Sequence, residues 1–90
     1  MEWQEENLSR AISASSRRQM LRLLAEKELT VKKIAELTKQ SVSLASRHLK
    51  LLYDLGFLTV RKDFPHKYYS LRIREMKQLL ESYDRVISKV

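Results

Sequence analysis

Ser41-Val42-Ser43-Leu44-Ala45-Ser46-Arg47-His48-Leu49-Lys50-Leu51-Leu52-Tyr53-Asp54-Leu55-Gly56 is the stretch whose reading decides the fold. Ala45, Leu49 and Leu52 fall at i, i+4 and i+7, which is one apolar stripe of a helix predicted over 42–54. Ser41 offers a capping hydroxyl just before it. Gly56, the chain's only glycine, follows where a helix end favours a left-handed residue. Ser43, Ser46, Arg47 and Lys50 lie off the apolar stripe. No carboxylate interrupts the chain between Glu36 and Asp54. One stripe can therefore anchor this helix while a polar, cationic face stays free.

Upstream, three shorter helices are predicted. Leu8, Ala11 and Ile12 recur at helical spacing over about 4–13, with Trp3 at the edge of that face. Met20, Leu21 and Leu24 form the stripe of a second helix over about 16–27, with Ser15-Ser16 as its expected N-cap. Arg18, Arg22 and Glu26 fall on its other face. They read as a solvated row, with Arg22 and Glu26 in i,i+4 reach. Thr30 caps a third helix, about 31–38, whose apolar residues are Ile34, Ala35 and Leu37.

Downstream, the period changes from 3.6 to 2. Leu58 and Val60 alternate with Thr59 and Arg61, Asp63-Phe64-Pro65 makes a turn, and Lys67-Tyr68-Tyr69-Ser70-Leu71 is a second strand. The prediction is a β-hairpin over 57–72, with a short strand near Leu29 as a possible third. One of Tyr68 and Tyr69 is expected in the core and the other against the wing. Phe64 reads as a lid on the domain in preference to an exposed wedge. Ile73, Met76, Leu80, Tyr83, Ile87 and Val90 then follow at spacings of 3, 4, 3, 4 and 3, a heptad seam on a helix predicted over 73–90. Such a seam either packs on its own domain or pairs with another copy. A small domain already closed by a hairpin has little core left to cover, which favours pairing.

Composition narrows the classes. Ninety residues make one small domain, 1–90, with 43% apolar and 32% charged residues. One Gly and one Pro disfavour sandwiches and barrels, which need many tight turns. The chain has no Cys, and its only histidines are His48 and His66, so thiolate zinc sites and cysteine nucleophiles are excluded. No apolar run is long enough to span a membrane, and the acidic Met1–Glu6 start lacks the features of a signal peptide, so a cytoplasmic protein is expected. The net charge of +7 is uneven. Residues 1–28 balance to zero, residues 29–72 carry nine basic and three acidic side chains, and residues 73–90 add +1. A basic middle between balanced ends suits a polyanion.

Two helices joined by a short turn, the second polar-faced, followed by a hairpin, define a winged helix-turn-helix. The expected order is α-α-α-α-β-β-α, mainly helical with a small hairpin wing. The free face of helix 42–54 fits a major groove about 12 Å wide, where Arg binds guanine bidentately and Ser contacts bases or phosphates. Candidate DNA contacts are Ser41, Ser43, Leu44, Ser46, Arg47, His48 and Lys50, with Arg61, Lys62, His66 and Lys67 on the hairpin. Arg47 is the expected base reader. His48 has the alternative of a hydrogen-bonded helix residue. Val42 and Leu44 either touch thymine methyls or pack inside.

The run from Ala11 to Leu71 resembles the ArsR-type winged helix-turn-helix regulators. Ser46-Arg47-His48-Leu49-Lys50-Leu51-Leu52, followed by Gly56-Phe57-Leu58, carries the most specific part of the likeness. Leu29-Thr30-Val31-Lys32-Lys33-Ile34-Ala35 is similar to the family's entry to the helix-turn-helix, and Tyr68-Tyr69-Ser70-Leu71 to the end of its wing. The resemblance implies a homodimer built by the first and last helices, bound to operator DNA. The expected interface residues are Leu8, Ile12, Ile73, Met76, Leu80, Tyr83 and Ile87. Two departures stand out. Many members sense metals through Cys or through His on the last helix, and this chain has neither, so no metal site and no cofactor are expected. Val42 and Leu44 stand where polar groove-facing residues are usual.

The leading expectation is thus a homodimeric double-stranded-DNA regulator. The alternatives are a winged-helix protein–protein module and a weakly specific nucleic-acid binder. An enzyme is not expected, because no nucleophile–base pair, Gly-rich phosphate loop or isolated carboxylate pair is present.

Overall fold

The structure, a computed structural model, describes residues 2–90. These form α1 (Glu2–Ile12), α2 (Ser15–Glu26), β1 (Leu29–Thr30), α3 (Val31–Thr38), α4 (Val42–Asp54), β2 (Leu58–Asp63), β3 (His66–Leu71) and α5 (Glu75–Ser88). The expected winged helix-turn-helix is present, and the short strand near Leu29 is real. It pairs with β3, so the antiparallel sheet runs β1-β3-β2.

Local chemistry fixes the helix-turn-helix. The Thr30 hydroxyl accepts from the Lys33 amide at 3.2 Å, and the Ser41 hydroxyl accepts from the Leu44 amide at 3.0 Å. Each cap satisfies a first-turn donor that has no partner within its helix. Lys39 ends α3 in the left-handed region at φ 56°, with its amide directed back to the Ala35 and Glu36 carbonyls. The Gln40 side-chain amide then donates to the Ser16 hydroxyl at 2.6 Å, tying the turn to the start of α2. Gly56, at φ 95°, turns the chain out of α4 into the hairpin.

One core joins the elements. Met20, Leu21 and Leu24 of α2 meet Ile34 and Ala35 of α3, Ala45, Leu49 and Leu52 of α4, and Met76 and Leu80 of α5. Ala11, Leu29, Phe57, Leu58 and Tyr69 close it, while Leu8, Ile12 and Ile73 pack half-buried at its edge.

Several sequence expectations need correction. Ser15 and Ser16 do not cap α2; Ala14 holds the N-cap position, without a side-chain bond. Leu37 is exposed, because an eight-residue α3 presents only Ile34 and Ala35 inward. Phe64 covers nothing, being 96% exposed at the hairpin tip. Ile73 precedes α5, which begins at Glu75.

The row Arg18, Arg22 and Glu26 is not simply solvated, and Arg22 does not pair with Glu26. Arg22 binds Asp84 through two nitrogens at 2.6 and 3.2 Å, Glu26 meets Lys77 at 3.5 Å, and the Arg18 guanidinium lies 5.0 Å over the Tyr83 ring. These contacts seat α5 on α2. The heptad seam therefore divides. Met76 and Leu80 are buried within their own domain, Tyr83 is half-buried, and Ile87 and Val90 are exposed.

Candidate nucleic-acid interface

The apolar stripe of α4 faces the core, so its other side is turned out. Ser43, Ser46, Arg47 and Lys50 are exposed. Among the described residues Arg47 meets no carboxylate, whereas Lys50 pairs with Asp54 at 2.8 Å. That carboxylate raises the Lys50 pKa and must be exchanged if Lys50 binds another anion. The Ser41 hydroxyl is occupied by its capping bond. Leu44 is half-buried, while Val42 at the start of α4 and Tyr53 near its end are exposed. Partial burial lowers the His48 pKa, and the nearby Arg17 and Arg47 lower it further. All three influences favour the neutral imidazole.

The hairpin has two different faces, because side chains alternate along each strand. Leu58, Val60 and Lys62 of β2 stand opposite Leu71, Tyr69 and Lys67 of β3. This face turns toward α4. Between them lies an open groove of about 330 Å³, lined by Ser46, Lys50, Tyr53 and Asp54 from α4 and by Val60, Lys62, Lys67 and Tyr69 from the hairpin. Four candidate contacts, Ser46, Lys50, Lys62 and Lys67, are thus brought together.

Arg61 and His66 are not among them. They share the opposite face with Thr59, Asp63, Tyr68 and Ser70. Arg61 binds Glu28 through two nitrogens at 2.7 and 3.2 Å, lies 4.5 Å over the Tyr68 ring and has Asp63 at 3.7 Å. The Arg61 bond holds the Glu28 carboxyl below the usual carboxylate range and raises the Arg61 pKa in turn. His66 stands edge-on to Tyr68. Glu28 was not singled out from sequence. The separation of Arg61 from Lys62 was readable there, since consecutive strand residues point to opposite faces.

The groove presents ammonium groups and hydroxyls, with one carboxylate, Asp54, already paired with Lys50. Among the described residues no group of three or more His, Cys, Asp or Glu is placed to hold a metal ion. No helix among them is long and apolar enough to cross a membrane.

Residues 14–60, more than half of the chain, match the family described as bacterial regulatory protein, arsR family. The chain is 38% identical over 73 residues to a cadmium resistance transcriptional regulatory protein CadC homolog of Staphylococcus aureus, spanning 80% of this chain and 60% of that protein. Its fold is similar to a homodimeric winged helix-turn-helix DNA-binding domain of Mycobacterium bovis, described as a possible ArsR-family transcriptional regulator. That likeness has a TM-score of 0.84 at 27% identity and covers 96% of this chain and 80% of that one. It is also similar to HlyU of Vibrio cholerae, with a TM-score of 0.82 at 29% identity, covering 92% and 90%. The chain belongs to the bacterial arsR family of regulatory proteins. Family and fold are those of transcriptional regulators rather than enzymes.

Proposed function

We propose that this protein is a homodimeric transcriptional regulator that binds double-stranded DNA sequence-specifically in the bacterial cytoplasm, without a metal-sensing site. The observation that carries the reading is the groove between α4 and the hairpin. Lys62 and Lys67 are opposed across the strands, an arrangement that is unfavourable for like charges until an anion lies between or beside them. Lys50 and Ser46 complete the anion-binding wall, and Arg47, which meets no carboxylate among the described residues, stands on the same helix, suited to a base edge. In this reading Lys50, Lys62 and Lys67 contact phosphates, and Arg47 with Ser43 reads bases. Arg61 stays engaged with Glu28, and His66 lies off the contact face.

The dimer reading rests on the apolar side chains left outside the core. Trp3 on α1 and Leu79, Val86 and Ile87 on α5 are 63%, 39%, 63% and 54% exposed. The Mycobacterium bovis relative is homodimeric. Of the other expected interface residues, Leu8, Ile12, Ile73 and Tyr83 are half-buried, while Met76 and Leu80 lie in the core. Ile87→Glu is expected to give a folded monomer by sedimentation, whereas a dimer at micromolar concentration moves the interface elsewhere. The absence of metal sensing rests on a chain without Cys and without His on α5, although its Staphylococcus aureus relative is named for cadmium resistance. Cadmium and zinc at modest excess are expected to leave DNA affinity unchanged.

Selection from a random duplex pool tests the function. A dimer presenting two copies of α4 about 34 Å apart recovers an inverted repeat. Recovery without a motif indicates a weakly specific binder. The exposed Val42 and Leu37 favour one other reading, a protein-contacting module, which recovers no DNA.

A further inference from the structure

Phe64 sits in the two-residue turn Phe64-Pro65, where the hairpin ends. Each strand of that hairpin has six residues, so the tip projects roughly 20 Å from the hairpin's base. Phe64 is 96% exposed and packs on nothing in its own domain. Turns favour small polar residues, which leave no apolar area in water. A bare phenyl ring beside an exposed Pro65 is therefore unfavourable in the free protein.

The surroundings indicate what covers it. Two residues back from the turn on β2, and two residues on from it along β3, stand Lys62 and Lys67, the opposed pair on the groove face. An apolar tip carried by a cationic ribbon suits a surface that is anionic outside and apolar between its stacked rings. Duplex DNA has that chemistry: phosphates line the groove and base steps lie within it. Lys62 and Lys67 line the same groove as Lys50 of α4, so the tip continues the surface already assigned to DNA.

We propose that Phe64, backed by Pro65, is an apolar wedge that enters the DNA minor groove beside the site read by α4 and partly unstacks one base step. Proteins that insert Phe or Pro in this way kink the duplex by roughly 20–90°. The wedge supplies specificity through deformability, since flexible pyrimidine–purine steps open most readily. That complements an α4 whose outward face carries Val42 among its polar groups. The proposal rests on the DNA-binding reading above.

The test uses the full chain and a 30-base-pair duplex recovered from a random pool, end-labelled with a donor and an acceptor dye. A second version carries 2-aminopurine at successive steps flanking the α4 site. The wild type is expected to shorten the end-to-end distance and to brighten 2-aminopurine at one step in each half-site. Phe64→Ala is expected to abolish both signals and weaken binding by roughly tenfold, with the salt dependence of binding unchanged because no charge is lost. Phe64→Leu is expected to retain most of each signal. Thermal melting should be unaltered in both variants, since the side chain touches no core residue. Bending and fluorescence equal to wild type in Phe64→Ala overturn the wedge. So does a loss of self-association in that variant by sedimentation, which makes the tip a protein contact. If the wild type binds no duplex, the DNA-binding reading fails first, and the two failures are told apart by that control.

Discussion

The two faces of the hairpin carry similar residue types and do opposite things with them. On the face toward α4, Lys62 and Lys67 stand opposite one another, neither paired with a carboxylate among the described residues, on the same face as the buried Tyr69. On the other, Arg61 is held by Glu28, stacked on Tyr68 and flanked by Asp63. One face leaves its positive charge unspent, and the other neutralises it internally. A count of basic residues along β2 and β3 treats the faces alike. The strand pleat separates them, because the side-chain period of two sends neighbours in opposite directions.

The largest expected contrast is in stability. Tyr69 belongs to the core, so Tyr69→Ala removes a buried ring and leaves a cavity, at a cost of about 3 kcal/mol. Tyr68 is half-buried and loses chiefly its stacking with Arg61, so Tyr68→Ala is expected to cost about 1 kcal/mol. Urea denaturation of the two variants measures both. Equal losses would mean that the outer face is packed as tightly as the inner one.

Next comes the reading of bases. Arg47→Ala is expected to cost about 1–3 kcal/mol on a selected duplex and to relax preference at one base pair. Competition titrations against single-base variants of that duplex check it. Equal losses on selected and random duplexes would make Arg47 a phosphate contact, and would extend the purely electrostatic character of the groove face onto α4.

A third experiment addresses the hairpin directly. Lys67→Ala is expected to weaken binding to all duplexes alike and to lower the slope of log K against log salt by about 1. Arg61→Ala removes the same formal charge, but from a side chain already paired and turned to the other face. Its salt slope is expected to match wild type. A slope reduced equally in both variants would show that Arg61 leaves Glu28 for a phosphate, which erases the distinction between the faces.

Much of this architecture was legible in the sequence, for identifiable reasons. The α4 stripe, the Thr30 and Ser41 caps, the Gly56 exit and the period-two hairpin are local signals, and local structure follows them. The misses are long-range. Arg22 and Glu26 sit four apart on one helix, yet each finds a partner on α5, more than fifty positions away. The heptad of the last helix is a true apolar period, but a period does not say which neighbour covers it. α2 covers Met76 and Leu80, and only the distal part of the seam remains open. Glu28 lies in the short link between α2 and β1. Only the fold brings it to Arg61, thirty-three residues on.

The smallest effect expected is the pH response of that pair. The Glu28 carboxyl is held below its ordinary value, near 4.3, chiefly by the Arg61 bond. In the unfolded chain the carboxyl takes up its proton first as pH falls. The unfolded state then binds more protons than the native state, so stability declines with falling pH. The contribution is therefore fully present above about pH 4.3 and is lost as pH drops through the lower folded value. Its size is limited, because both groups are exposed and water screens the pair. Glu28→Gln keeps the shape and removes the titration. Denaturant midpoints of wild type and variant between pH 3 and 7 should differ at the neutral end and converge at the acid end. Lys62→Met on the groove face should show no such convergence, since Lys62 has no ion-pair partner among the described residues. If the Glu28→Gln difference stays constant across the range, the pair contributes by shape alone, and charge neutralisation does not distinguish the outer face.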